Sequence, residues 1–194
     1  MVDKADLLTA IAGKNRGLLA TERDRQAILA IAAQLADRNP TPQPLAAPEK
    51  LGGNWELVYT SSKSLLGLDQ LPFLKLGAVY QCIRPQQFQV YNIAELYGIP
   101  GLESIVSVVA RFTPLSELRI QVEFERSISG LKSLLGYQSP DALIDSLQTG
   151  QKFVGLDFPI KPSNRQAWLE TTYLDHDLRI SSGNEGNLFI LTKP

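Results

Sequence analysis

The sequence predicts a mainly β protein, an antiparallel β-barrel preceded by an N-terminal helical hairpin. Three observations carry that expectation. Up to residue 38 the apolar residues repeat at helical spacing; prolines at 40, 42, 44 and 48 then break the chain; and from Leu51 onward nearly every apolar run has the length and composition of a strand. With 194 residues, 44% of them hydrophobic and 20% charged, the chain suffices for one such domain with a small helical appendage.

Leu7, Leu8 and Ile11 fall on one face of a first helix, with Asp3 or Asp6 as its cap and Gly13 or Gly17 as its stop. Thr21 followed by Asp24 resembles a capping box, and Ile28, Ile31 and Leu35 line one face of a second helix. Residues 1–38 are therefore expected as a hairpin packed on the barrel, with docking of a partner protein as its functional alternative. Residues 39–50 are expected as a proline-rich linker or surface strap, extended and non-helical.

The barrel is assigned to 51–194. In its opening strand Gly52 and Gly53 free the backbone where the chain turns in, and Trp55, Leu57 and Tyr59 share one face at period two. The next stretch, 63–77, carries Leu65, Leu66, Leu68, Leu71, Phe73, Leu74 and Leu76 among Gly67, Pro72 and Gly77. It is too apolar for a solvated loop and too interrupted for a strand. It reads either as a loop packed on the core or as an apolar lid at a pocket mouth, able to dip into lipid.

Strands at 78–84 and 87–96 flank Pro85, and 103–113 is apolar on both faces. Such a strand needs cover outside the barrel, and the N-terminal helices are the available element. After a turn at Pro114, residues 117–127 alternate cleanly, with Leu118, Ile120, Val122 and Phe124 facing one way. Arg126 shares that apolar parity. It reads either as a strand-end cation reaching solvent or as a rim cation for a ligand's polar head. The pattern is lost over 128–165, an irregular insertion expected to plug or lid one barrel end, or to pack as a corner; within it Ser139 and Pro140 start a short helix through Leu147. Strands return at 167–174, 178–181 and 188–192.

Composition narrows the function. Lys and Arg number 19 against 20 Asp and Glu, which leaves no global field to attract nucleic acid. The single cysteine, Cys82, excludes an internal disulfide, and the single histidine, His176, excludes two-histidine zinc motifs. Glycines in 182–187 lack the spacing and following helix of a phosphate cradle. No cofactor, metal or enzymatic activity is expected. No apolar run approaches the ~20 residues that span a bilayer. The acidic start has neither a signal-peptide core nor the look of a transit peptide, so the protein is expected to work where it is made unless a leader has been removed.

A barrel of about eight strands holds at most one small ligand. With the more apolar parity turned inward, its lining candidates are Trp55, Leu57, Tyr59, Tyr80, Phe88, Val90, Ile120, Val122, Phe124 and Trp168, each of which can equally be plain core. Leu65, Leu68, Leu71 and Phe73 would lie over the ligand or against a membrane. Asp175, His176, Asp177 and Arg179 read either as turn chemistry, with carboxylates accepting from backbone N–H groups, or as a polar cluster at the mouth that holds a head group.

Two stretches resemble a known family. Leu51-Gly-Gly-Asn-Trp-Glu-Leu-Val-Tyr-Thr-Ser-Ser62, preceded by Asn39-Pro-Thr-Pro42, is similar to the opening motif of the plastid lipid-associated proteins, or fibrillins, and 173–191 resembles their C-terminal motif. The resemblance implies a lipocalin-like barrel at thylakoids or lipid droplets of photosynthetic organisms, binding isoprenoid, quinone, carotenoid or acyl ligands. Without a visible transit peptide the chain looks like a cyanobacterial member, cytoplasmic or peripheral on the thylakoid, or plastidic if this is a mature form. Gly53-Asn-Trp55 is also similar to the Gly-x-Trp of lipocalins, which implies that Arg179 packs across Trp55. The expected function is a non-enzymatic carrier of a hydrophobic ligand. The alternative is a structural protein that coats lipid or docks a biosynthetic enzyme with no ligand in the barrel.

Overall fold

Asp3 caps α1 (Lys4–Ile11) through a reciprocal box with Asp6, and Thr21 caps α2 (Glu22–Ala36) through the same device with Asp24. The computed structural model describes residues 2–67, 75–98, 100–161 and 167–193, apart from the side chains of 64, 65 and 185. Between the two helices Gly17 takes φ +108°, and a Cβ there would lie 2.2 Å from the Thr60 carbonyl oxygen. The segment 39–50 is no free strap. Its turn at Pro44–Ala46 and the helical turn α3 (Pro48–Leu51) bring Leu45 and Leu51 against the barrel core. A proline at the first position of each turn supplies the fixed φ that a helical start needs.

Nine antiparallel strands follow: β1 (Gly53–Thr60), β2 (Lys75–Arg84), β3 (Gln89–Tyr97), β4 (Ser104–Pro114), β5 (Arg119–Leu131), β6 (Leu156–Pro159), β7 (Ala167–Leu174), β8 (Leu178–Gly183) and β9 (Leu188–Thr192). Each pairs with its sequence neighbours, except that β7 and β6 share one edge of β5, at 119–122 and 126–129 respectively. Pairing of β1 with β9 joins first to last and leaves an eight-stranded barrel with β6 as an extension. Helix α4 (Lys63–Leu66) begins the β1–β2 connection, and α5 (Lys132–Leu135) and α6 (Pro140–Gln148) lie between β5 and β6.

Four bulges decide which side chains face the lumen. The register slips at Val58 in β1, at Gly77-Ala78 in β2, at Glu125 in β5 and at Thr172 in β7. Each extra residue reverses the parity of everything beyond it. The lumen core comprises Trp55, Leu57, Val79, Ile83, Val90, Phe112, Ile120, Leu174 and Leu191.

The outside is covered twice. Leu7, Ile11, Ile28, Ala32 and Leu35 of the N-terminal helices pack on Tyr59, Tyr173, Leu178, Ile180 and Ile190. Leu135, Leu143, Ile144 and Leu147 of α5 and α6 pack on Cys82, Tyr91, Ile93, Ile105, Val109 and Ile128. The wall formed by 103–113 is therefore covered by the later helices, not by the N-terminal pair. Residues 128–131 continue β5, and the Ser139-capped helix lies along the side of the barrel instead of plugging an end. Its contact face, Leu143, Ile144 and Leu147, is a short amphipathic stripe that gives no sign in sequence of which wall it meets.

Candidate ligand-binding site

The barrel has a closed end and a mouth. At the closed end Trp55 is fully buried; its indole N–H donates to the Leu51 carbonyl at 2.8 Å, and its ring is flanked by the Arg179 guanidinium at 5.1 Å and the Lys193 ammonium at 4.6 Å. Leu57 stands one step deeper on the same face. Arg179 lies between Leu174 and Leu191 in the register and is entirely buried. One of its amino groups, Nη2, donates to Gln81 Oε1, and the Gln81 amide donates to Asn92 Oδ1 at 3.0 Å. Its Nε and Nη1 find no hydrogen-bond partner among the described residues. Burial lowers its pKa from the guanidinium's ordinary value to about 9, so it remains a cation at neutral pH. No Asp or Glu shares the lumen face of the described strands.

At the mouth β5 changes partner. Its last pair with β7 is Val122 with Ala167, and its first with β6 is Arg126 with Pro159. Phe124 lies in that gap. It pairs with the fully buried Ala110 and so faces the lumen, yet it is 42% exposed. Beyond it, Phe158 and Leu156 pair with Ser127 and Ser129 and extend the same face, at 50% and 67% exposure. The mouth is thus an apolar lip above a polar floor.

Other expected lining residues lie elsewhere. Tyr59 follows the Val58 bulge and faces outward beneath the N-terminal helices. Tyr80 is on the outer face of β2, packed with Tyr137, because the odd-numbered Val79, Gln81 and Ile83 face inward. Phe88 sits in the turn before β3 at φ +53°, its ring edge-on to Phe112 at 5.6 Å. Trp168 pairs with Gln121 on the outer face, where the Arg119 guanidinium stacks on it at 4.3 Å. Arg126 is turned outward by the Glu125 bulge and held by both carboxylate oxygens of Asp157, at 2.8 and 2.6 Å, so it is no rim cation in the lumen. Leu68, Leu71 and Phe73 lie outside the described residues, as does the Leu65 side chain. Of the candidates, the structure brings Trp55, Leu57, Val90, Ile120, Val122, Phe124 and Arg179 to the lumen.

The C-terminal polar stretch does not assemble as a cluster. Asp175 accepts from the Asp177 and Leu178 amides at 2.9 and 2.7 Å and from the Tyr173 hydroxyl at 2.9 Å, while Arg179 points to the opposite face. Burial raises the Asp175 carboxyl, but these hydrogen bonds outweigh it and hold the group below its ordinary value. Lys4 bridges to Asp175 and Asp177, fastening α1 to this turn, and His176 is exposed. Among the described residues no group of three His, Cys, Asp or Glu is placed to hold a metal.

Sequence reasoning missed Gln81 and Asn92, which hold the buried guanidinium. Their signal was an amide on the parity of Val79 and Ile83. It also missed an outer network in which Glu95 accepts from Lys132 at 2.8 Å, from Tyr137 at 2.8 Å and from Tyr97, tying α5 to β3. A groove of about 660 Å³ runs along the outer wall past Gln89, Tyr91, Arg126, Gln148 and Asp157.

The chain is 35% identical to a light-induced chloroplastic protein of Solanum tuberosum, covering 98% of this chain and 66% of that one. It is 34% identical to the chromoplast-specific carotenoid-associated protein C1 of an Oncidium hybrid cultivar and 35% identical to plastoglobulin-1 of Pisum sativum, covering 98% of this chain and 68% and 60% of theirs. The chain thus spans about two thirds of the length of these relatives, whose names carry no enzymatic activity. No solved structure matches it. The PAP_fibrillin family model matches residues 1–192, and the chain belongs to that family.

Proposed function

We propose that the protein is a non-enzymatic carrier that holds one hydrophobic molecule in its barrel and works at a lipid surface, a thylakoid membrane or a lipid droplet. The observation that carries this reading is the lip of Phe124, Leu156 and Phe158, exposed apolar side chains on the lumen side of the sheet. A barrel packed solid has no use for such a face, because exposing it forfeits burial worth ~25 cal/mol per Å². Relatives named for carotenoid association and as a plastoglobulin support a lipid-borne setting. Isoprenoid, quinone, carotenoid and acyl molecules all match the lip's apolar chemistry.

Mass spectrometry of an organic extract of protein purified from its native membranes tests the reading. One lipid or pigment per chain is expected, and the yield should fall in Phe124→Arg, which puts a charge in the mouth. A barrel that carries no lipid and takes none up would refute it. A second reading, a protein that coats lipid or docks a biosynthetic enzyme, is favoured by the exposure of Val154, just before β6, and of Leu156 and Phe158 within it. It predicts flotation with liposomes, or capture of the enzyme, that survives Phe124→Arg and fails in Val154→Glu.

A further inference from the structure

The lumen contains a charge that nothing in the described barrel answers. Arg179 is fully buried on the lumen face of β8, and two of its three nitrogens have no hydrogen-bond partner among the described residues. Among the described residues its only polar contact is the neutral amide of Gln81. A buried cation normally has a carboxylate beside it, because taking the ion out of water is costly and only an opposite charge with hydrogen bonds offsets the loss. The described strands put no carboxylate on this face, and stacking on Trp55 recovers only part of the deficit. Lys193, stacked on the same ring at 4.6 Å, adds a second positive charge nearby.

Resting on the carrier reading, we infer that the floor of the barrel is an anion site, in which Arg179 receives the ionised carboxylate of a long-chain acid whose tail runs up to the lip at Phe124. One uncompensated cation calls for one negative charge, which a carboxylate supplies. A quinone or ketone oxygen would satisfy an N–H but leave the charge, and a hydrocarbon carotene would do neither. The Arg179–Gln81–Asn92 chain fixes one guanidinium nitrogen and leaves Nε–H and Nη1–H to donate, the stronger charge-assisted kind of hydrogen bond when the acceptor is anionic. The Thr171 and Ser181 hydroxyls hydrogen-bond to each other at 3.3 Å on the same lumen face, which leaves one O–H of the pair to donate toward the mouth.

The test uses delipidated full-length protein with cis-parinaric acid and its methyl ester, which share a chain and differ in charge. Fluorescence titration should show the acid bound about tenfold or more tightly than the ester. In Arg179→Met, which replaces an unpartnered buried cation by an apolar chain of similar length, acid and ester should bind alike. Equal binding of the two by the wild-type protein would overturn the anion site, as would a preference for the acid that persists in Arg179→Met. Those outcomes leave the carrier reading standing, whereas failure to bind either probe would defeat the carrier reading itself. Acetate in large excess should leave parinaric acid in place; displacement by acetate would mean a site for free anions and overturn the long-chain acid.

Discussion

The single cysteine reports on the outer cover. Cys82 is fully buried beneath α5 and α6, in contact with the cluster that contains Leu143 and Ile144, and burial pushes its thiol up to about 12. At pH 8 about one molecule in ten thousand is then a thiolate while the helices stay in place, so labelling by a disulfide reagent requires them to lift. Ile144→Ala removes a side chain that is 1% exposed at the centre of this contact. An Ile-to-Ala truncation of this kind costs about 2–5 kcal/mol. If lifting α6 is what exposes the thiol, the whole of that cost comes off the opening free energy. Labelling should then accelerate about 30-fold at the low end and over a thousandfold at the high end. Ile28→Ala on α2 is the control, since it makes an equally buried cavity under the other cover and should leave the Cys82 rate nearly unchanged. Equal acceleration in both variants would mean that the thiol is exposed only by global unfolding. No acceleration in Ile144→Ala would mean that α6 is not the element that shields it.

Further expectations concern stability. Gly17→Ala places a Cβ against the Thr60 carbonyl at a left-handed φ and should cost about 1–3 kcal/mol in urea unfolding, with loss of the Arg16–Tyr59 bridge visible in hydrogen exchange. Trp55→Phe deletes the hydrogen bond to Leu51 and leaves a buried carbonyl unpaired, for about 1–3 kcal/mol, whereas Trp168→Phe, on the outer face, should cost measurably less. Burial raises the Glu95 carboxyl, but hydrogen bonds from Lys132, Tyr97 and Tyr137 outweigh it and hold it below the ordinary 4.5. Its stabilisation is therefore present above that ordinary value and lost as pH falls through the lower folded value. The stability gap between wild type and Glu95→Gln should be constant near neutrality and close only in that acid window. A gap that closed above pH 6 would contradict the assignment.

What the sequence made legible was local. The box at Thr21 and the Ser139-Pro140 start are decided within four residues and stand where their residues imply, and of the two caps open to the first helix, Asp3 or Asp6, the structure uses Asp3. The alternation of Ile120, Val122 and Phe124 likewise needs only neighbouring positions, and all three face the lumen. Which helix covers which wall is settled by contacts tens of residues apart, and an amphipathic face does not encode its partner. Trp55 with Arg179 was reachable because two motifs 124 positions apart resembled a family as a pair, not because either residue announced the other.

The remaining misses share one backbone cause, and it bears on the chemistry. A closed sheet of eight tilted strands concentrates twist and bend at a few points, and a bulge supplies both at the cost of one unpaired residue. At Glu125 the consequence is twofold. Arg126, which strict alternation would turn into the lumen beside Phe124, goes outward to Asp157, and Ile128 goes with it to meet α6. Ser127 and Ser129 take the inward places. A polar strip thus lines β5 above the apolar Val122, and the positive charge of the lumen stays at the Trp55 end, on Arg179 and Lys193. The charge selectivity inferred for the floor therefore depends on an irregularity two strands away from Arg179, beyond β7. Were β5 regular, Arg126 would compete for any anion entering at the mouth, before it could reach Arg179.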